Sequence, residues 1–404
     1  MSLSQELSWR GFVNQTTYDD VTILDDEPVA FYWGVDPSAD SMHIGQLAMA
    51  MMIRHFIAHG HKATLLVGGA TGMVGDPDGK DEERELKTIE EIEHNKAGIA
   101  EQYKRLFNDQ SFAIVDNYDW FQDMNYLTFL RDVGKHVPVS SMLGREFIQT
   151  RLGEGGKGIS YAEFSYSLIQ GYDFLHLFRE KNITLQIAGA DQWGNSVTGI
   201  QLIRRIENAE AHVWTAPLII NKVTGKKFGK SEEGAIWLDP KKTSVYQFYQ
   251  FWLNVDDEGV IDYVKIYTLL NHEDIERLID KQKADPAARD AQKTLAYEVT
   301  KLVHGEQAAE SARRVTGVLF GGQAFANLSA DDLELLATEI PAAHLGSTLV
   351  DTLTDSSIVA SKGEARRLIL GGAISVNGEK VLDDMTLSTP SLIKKGKNSF
   401  LLVK

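Results

Sequence analysis

Apolar residues in the first half of the chain fall into short continuous runs separated by helix-like stretches. VAFYW at 29–33 reads as a buried strand, and residues 43–59 read as a helix that Gly60 stops. KATLLVG at 62–68 is a second strand, followed by the glycine-rich loop GGATGMVGDPDG. A long charged helix is expected from about Asp81 to Phe107, then the strand FAIVD at 112–116. ITLQIAG at 183–189 and HVWTAPLII at 212–220 add strands on either side of a helix ending in LIRRIEN. Strands alternating with helices imply an α/β fold, a parallel sheet with helices on its faces. After about Pro240 the pattern changes. Residues 245–325 read as mostly helical, and ANLSADDLELLATEIPAAHLG at 326–346 reads as a connector or small docking segment.

A chain of 404 residues, 43% of them hydrophobic, is too long for one ordinary domain. No apolar run approaches the roughly 18 residues of a membrane helix. MSLSQELSWR lacks the basic-then-apolar order of a signal peptide. A cytoplasmic protein without a membrane partner is expected. The absence of cysteine excludes disulfides and thiolate metal sites. A net charge of −16 argues against a surface coated for nucleic acid, yet the charge is uneven. Residues 356–404 carry eight Lys+Arg and four Asp+Glu, net +4, which leaves −20 on the other 355. A basic module on an acidic body suggests a polyanion partner.

Two constellations suggest chemistry. Gly34-Val35-Asp36-Pro37-Ser38 and His43-Ile44-Gly45-Gln46 follow a strand and open a helix. In a parallel α/β sheet ligands bind at such strand ends. Gly45 admits an adenine or ribose close to the backbone, and His43 at a helix N-terminus can donate to phosphate. Lys226-Lys227-Phe228-Gly229-Lys230-Ser231 offers cations and a hydroxyl on a glycine-containing loop, suited to a triphosphate losing pyrophosphate. Taken singly, the first is also an ordinary helix start and the second a solvated basic turn. Together, about 180 residues apart and in this order, they are far more selective. GGATG lacks the Lys-Ser/Thr end of a P-loop. His55 and His59 lie four apart without the Glu of a zincin motif, in a stretch that reads as a packed helix, so they are read as structural and no metal site is expected.

The pair resembles the HIGH and KMSKS signatures of class I aminoacyl-tRNA synthetases. FYWGVDPSADSMHIGQL, LLVGGATGMVGDPDGK, FSYSLIQGYDF, AGADQWGN and KKFGKS narrow the resemblance to bacterial tyrosyl-tRNA synthetases, over nearly the whole chain. That resemblance implies a Rossmann-like domain at 1–222 binding tyrosine and ATP. It implies the KFGKS loop and an α-helical tRNA-binding domain at 223–325, a linker at 326–346, and a small α+β S4-like RNA-binding domain at 347–404. It further implies a homodimer whose partner is tRNA(Tyr), and ATP as substrate with Mg2+ and no tightly bound cofactor. Gln46 departs from the signature's second His, and the loop reads KFGKS.

The resemblance also assigns roles. Tyr32 and Asp173 match positions that contact the phenol, Tyr166 and Gln170 those around the α-amino group, with Asp76 a further acceptor and Gln192 lining the substrate. The ATP side would use Asp36, Ser38, His43, Gly45, Asp191, Lys227, Lys230 and Ser231. Of these, His43, Lys227, Lys230 and Ser231 would be catalytic. Lys80 and Arg84 could reach phosphate or simply start an exposed helix. Spacing supports the pocket, since Tyr166, Gln170 and Asp173 share one helical face. A buried carboxylate at Asp173 needs a donor that a phenol supplies and phenylalanine does not.

SKGEARRLILGGAISVNGEKV resembles an S4-like RNA-binding motif, with Lys362, Arg366 and Arg367 on a helix before an Asn377-Gly378 hairpin turn. These three cations are expected to meet a phosphate backbone. Two other readings stay open. A class I aminoacyl-tRNA synthetase for tryptophan shares the fold and signatures, and the Asp173 carboxylate speaks against it. A non-catalytic RNA-binding protein shares the fold, and the intact His43, Lys227 and Lys230 speak against that.

Overall fold

The computed structural model describes residues 1–404 except 78–85, 226–227, 229, 232–233 and 397–398, and it leaves aside the side chains of 146–147 and 230–231. The chain divides into two compact units. One comprises Met1–Thr243 with Val255–Ala291, the other Ser244–Asn254 with Gln292–Lys404.

The first unit is built on β1 (Gln15–Thr16), β2 (Ala30–Val35), β3 (Lys62–Val67), β4 (Phe112–Asp116), β5 (Leu185–Gly189) and β6 (His212–Ala216). Their order is β1-β6-β5-β2-β3-β4, parallel throughout except for the antiparallel edge strand β1. From β2 the chain moves outward through β3 and β4. It then returns on the other side of β2 as β5, whose Gln186 pairs with Tyr32. That reversal makes a crevice at the carboxyl ends of β2 and β5, where ligands bind in open α/β sheets.

Helix starts follow the local sequence. Ser160 and Glu163 cap each other's backbone at the start of Tyr161–Lys181, and Asn182 ends that helix at φ 52°. Three sequence expectations shift. The glycine-rich stretch is not all loop, because Gly69–Val74 is helical. Its glycine content serves close approach, since a Cβ on Gly68 would lie 2.2 Å from oxygens of both Asp36 and Thr71. The charged helix runs Ile89–Leu106 behind a Thr88–Glu91 capping box, and the start of the expected range, at 81–85, lies outside the described residues. The strand at 212–220 stops at Ala216, where Pro217 cannot donate to a ladder.

The first unit also holds the two-residue strands β7 (Lys230–Ser231) and β8 (Gly234–Ala235), and the second unit carries a five-stranded sheet of β9 (Ala342–Ala343), β10 (Ile374–Val376), β11 (Glu379–Lys380), β12 (Ser391–Lys395) and β13 (Ser399–Val403). The order is β11-β10-β12-β13-β9, antiparallel except that β9 runs parallel to β13. Strand periodicity sorts its side chains to two faces. Leu392, Phe400 and Leu402 pack with Val315, Leu319 and Leu336 of the helices Glu306–Phe320 and Ala330–Glu339. Ile393, Leu401 and Val403 pack with Leu349, Leu353, Ala365 and Ile369 of the helices Leu349–Asp355 and Lys362–Leu370. The stretch 326–346, read from sequence as a connector or small docking segment, therefore supplies a helix and an edge strand to this package.

Candidate active site

The crevice at the ends of β2 and β5 opens into a cavity of about 460 Å³. Tyr32, Asp36, Ser38, His43, Gly45, Asp76, Tyr166, Gln170, Asp173, Asp191 and Gln192 all line it. One cavity thus gathers the residues that the sequence assigned to tyrosine and most of those assigned to ATP.

Asp173 is 2% exposed. Trp120 Nε1 donates to its Oδ1 at 2.9 Å, and Asn117 Nδ2 donates to its Oδ2 at 3.1 Å. Burial pushes the carboxyl up to about 8, against the opposing pull of those two donors. The Tyr32 hydroxyl is buried and has no hydrogen-bond partner among the described residues, and burial holds it well above the usual tyrosine range, with the Asp173 charge adding to the effect. The side-chain carbonyl oxygens of Gln170 and Gln186 are likewise buried and without a hydrogen-bond partner among the described residues. Unpaired buried polar atoms are costly unless a polar ligand meets them.

Asp36 joins two groups of residues that the sequence kept apart. Its Oδ1 accepts from the Thr71 hydroxyl at 2.6 Å, and its Oδ2 accepts from the Tyr166 hydroxyl at 2.7 Å. An expected ATP contact is thereby bonded to an expected amino-acid contact. Gln192 Nε2 donates to Asp76 Oδ2 at 2.5 Å.

His43 caps the helix Ile44–Ala58. Its Nδ1 accepts from the Gly45 N–H at 3.0 Å, and its own N–H donates to Gln46 Oε1 at 2.8 Å. Because Nδ1 is an acceptor, the neutral ring carries its proton on Nε2, as a donor. Gln46 therefore acts here by fixing the backbone of His43. Opposite, the chain after the lysine loop runs antiparallel to His43: Ile44 N–H donates to the Ile236 carbonyl at 3.0 Å and Leu238 N–H to the Met42 carbonyl at 2.9 Å. Trp237 meets the His43 ring edge-on at 6.0 Å. Phe228 lines the cavity and stacks on Tyr263 with centroids 4.1 Å apart.

Lys80, Arg84 and Lys227 lie outside the described residues. Lys230–Ser231 pairs as a two-residue ribbon with Gly234–Ala235. In the second unit Arg366 and Arg367 are exposed on the helix Lys362–Leu370, whereas Lys362 is ion-paired with Asp351 at 2.6 Å. His55 is buried, and burial depresses its pKa to about 3. His59 caps the same helix.

Sequence reasoning missed Asn117, Trp120, Gln186 and Trp237. Asn117 directly follows the carboxyl end of β4, where a functional side chain is to be expected, and Gln186 pairs with Tyr32. Nothing in the sequence pointed to Trp237.

Residues 24–321 match the family model of class I tRNA synthetases (W and Y), and the chain belongs to that family. The second match is narrower: residues 332–403 fit the tyrosine–tRNA ligase SYY-like C-terminal domain. The chain is 43% identical to tyrosine–tRNA ligase 2 of Bacillus cereus, covering 100% of this chain and 99% of that one. It is 41% identical to tyrosine–tRNA ligase of Limosilactobacillus reuteri, covering both in full. A crystal structure of a C-terminally truncated mitochondrial tyrosyl-tRNA synthetase from Aspergillus nidulans superposes with a TM-score of 0.71 at 30% identity, covering 79% of this chain and 94% of that one.

Proposed function

We propose that the chain is a tyrosine–tRNA ligase, which activates L-tyrosine with ATP and transfers it to the terminal adenosine of tRNA(Tyr). The observation that carries this reading is the buried Asp173 carboxylate in a cavity that also holds the unpartnered Tyr32 hydroxyl. A phenol supplies a donor to the first and a partner to the second. An indole N–H would satisfy only the acceptor.

In this reading Tyr166, Gln170 and Asp76 receive the α-ammonium, and the tyrosine carboxylate attacks the α-phosphorus of ATP. The bond formed joins carboxylate oxygen to phosphorus, and the bond broken releases pyrophosphate. No protein nucleophile is needed. Catalysis comes from positioning and from charge placed where pyrophosphate develops. His43 Nε2–H, Lys227, Lys230 and Ser231 serve that charge, with Asp36, Ser38, Gly45 and Asp191 holding the nucleotide. Magnesium arrives on the ATP phosphates. A hydroxyl of the terminal adenosine then attacks the tyrosyl carbonyl and displaces AMP, while Arg366 and Arg367 contribute to holding the RNA.

A homodimer in the cytoplasm completes the proposal. It is supported by exposed large apolar residues between 126 and 161, namely Tyr126, Leu127, Val139, Leu143, Leu152 and Tyr161, and no helix is long and apolar enough to cross a membrane among the described residues. Charging of bulk tRNA with each amino acid in turn tests the function. Product with tyrosine alone is expected, and charging with tryptophan instead would overturn it.

A further inference from the structure

Arg145 lies in the chain between the helices Val139–Leu143 and Glu146–Leu152, outside the cavity. Its guanidinium grips the first two turns of the helix Trp193–Ile206. Nη1 donates to Asn195 Oδ1 at 2.7 Å, and Nη2 donates to the Gly194 carbonyl at 2.8 Å and to Thr198 Oγ1 at 2.7 Å. Asn195, 4% exposed, uses its other end to donate from Nδ2 to Gln192 Oε1 at 3.2 Å. Gln192 in turn donates from Nε2 to Asp76 Oδ2 at 2.5 Å. Every bond points the same way, from a cation through two carboxamides to a carboxylate.

Direction matters because a carboxamide has two unlike ends. If Asn195 were free to turn, its oxygen could face Gln192, and Gln192 would then turn its own oxygen toward Asp76, against a carboxylate. The guanidinium admits only acceptors, so it fixes the Asn195 oxygen, and that choice propagates to the cavity wall. Successive bonds aligned in one sense also strengthen one another.

We infer that Arg145 is a positioning residue for amino-acid activation: through Asn195 and Gln192 it holds the Asp76 carboxylate in place for the substrate's α-ammonium. This rests on the tyrosine reading above. Arg145 touches no reacting atom. It acts on the one substrate group that Asp76 receives, so its loss is specific to ligands bearing an ammonium.

The test uses the full chain, with Arg145→Lys and Asn195→Ala as variants and L-tyrosine and 3-(4-hydroxyphenyl)propionate as ligands. The second ligand keeps the phenol and carboxylate and lacks the ammonium. Lysine keeps the charge but is a single point donor that cannot hold Asn195, Gly194 and Thr198 together. Each variant should bind L-tyrosine about tenfold more weakly, the effect of losing order in one charge-assisted contact. The propionate should bind within about twofold of wild type, and KM for ATP should hold within the same margin. Adding Arg145→Lys to Asn195→Ala should then cost less than about twofold more, because the relay is already cut. Equal weakening of both ligands would make Arg145 a general support of the fold and overturn the inference. So would unchanged tyrosine binding with tRNA charging alone impaired, which would assign Arg145 to RNA. A wild-type protein that binds neither ligand overturns the tyrosine reading itself, and the inference with it.

Discussion

Replacing Asp173 with asparagine should stabilise the empty protein while destroying its use. The carboxyl sits 2% exposed and is raised from 3.8 to about 8, so ionising it in the folded state opposes folding. A rise of slightly more than four, at about 1.36 kcal/mol for each, makes the full penalty between about 5 and 6 kcal/mol above pH 8. The sign follows from proton binding. Between the unfolded and folded pKa values the native state holds the extra proton, so stability from this group is complete below about pH 4 and is lost as pH rises through about 8. Between pH 5 and pH 9 the loss is about 4 kcal/mol. Asparagine removes that slope. It offers one oxygen to two donors, Asn117 and Trp120, and leaving one unpaired costs about 1–3 kcal/mol. The variant should therefore lie within about 2 kcal/mol of wild type at pH 5 and exceed it by about 3–5 kcal/mol at pH 9. Denaturant unfolding across that pH range, without tyrosine, reads the difference. A wild-type-minus-variant gap that does not change with pH would refute the argument that this carboxylate is desolvated.

Two further outcomes follow from the site. Lys230→Ala should slow adenylate formation in single turnovers by about 100-fold or more with tyrosine affinity within about twofold, since its charge meets pyrophosphate only as that forms. A normal rate with weakened tyrosine binding would remove Lys230 from the chemistry. Arg366→Ala with Arg367→Ala should weaken tRNA binding and lower the slope of log affinity against log salt by up to about 0.9 per phosphate lost. Pyrophosphate exchange into ATP should stay at the wild-type level, and an unaltered slope would detach this helix from the RNA.

Much of the site was legible because it hangs on strand ends and one helical face. Tyr32 ends up on the buried strand that the apolar run marked, and Tyr166, Gln170 and Asp173 share the cavity side of Tyr161–Lys181 as their spacing required. What was not legible came from contacts between distant segments. The donors that orient Asp173 belong to the chain after β4, 53 to 56 residues earlier. The edge of Trp237 on His43 depends on a bridge between segments nearly 200 residues apart, about which hydrophobic period is silent. The stretch at 326–346 reads from sequence only as a connector or small docking segment because its strand is two residues long, too short to show alternation, and is defined only by pairing with Leu402 and Val403.

The central claim is that this cavity reads a phenol through Asp173, and ATP–pyrophosphate exchange measures it most directly. Tyrosine, phenylalanine and tryptophan are compared by kcat/KM in wild type and in Asp173→Ala. Phenylalanine would leave the Tyr32 hydroxyl without a partner and would deny Asp173 the phenol's donor, leaving it only Asn117 and Trp120, at about 2 kcal/mol or more for each lost contact, so wild type should prefer tyrosine by at least about a thousandfold. Asp173→Ala should cripple exchange with tyrosine and collapse that preference by at least about tenfold. A wild-type preference for tryptophan, or a tyrosine-to-phenylalanine ratio untouched by Asp173→Ala, would contradict the account.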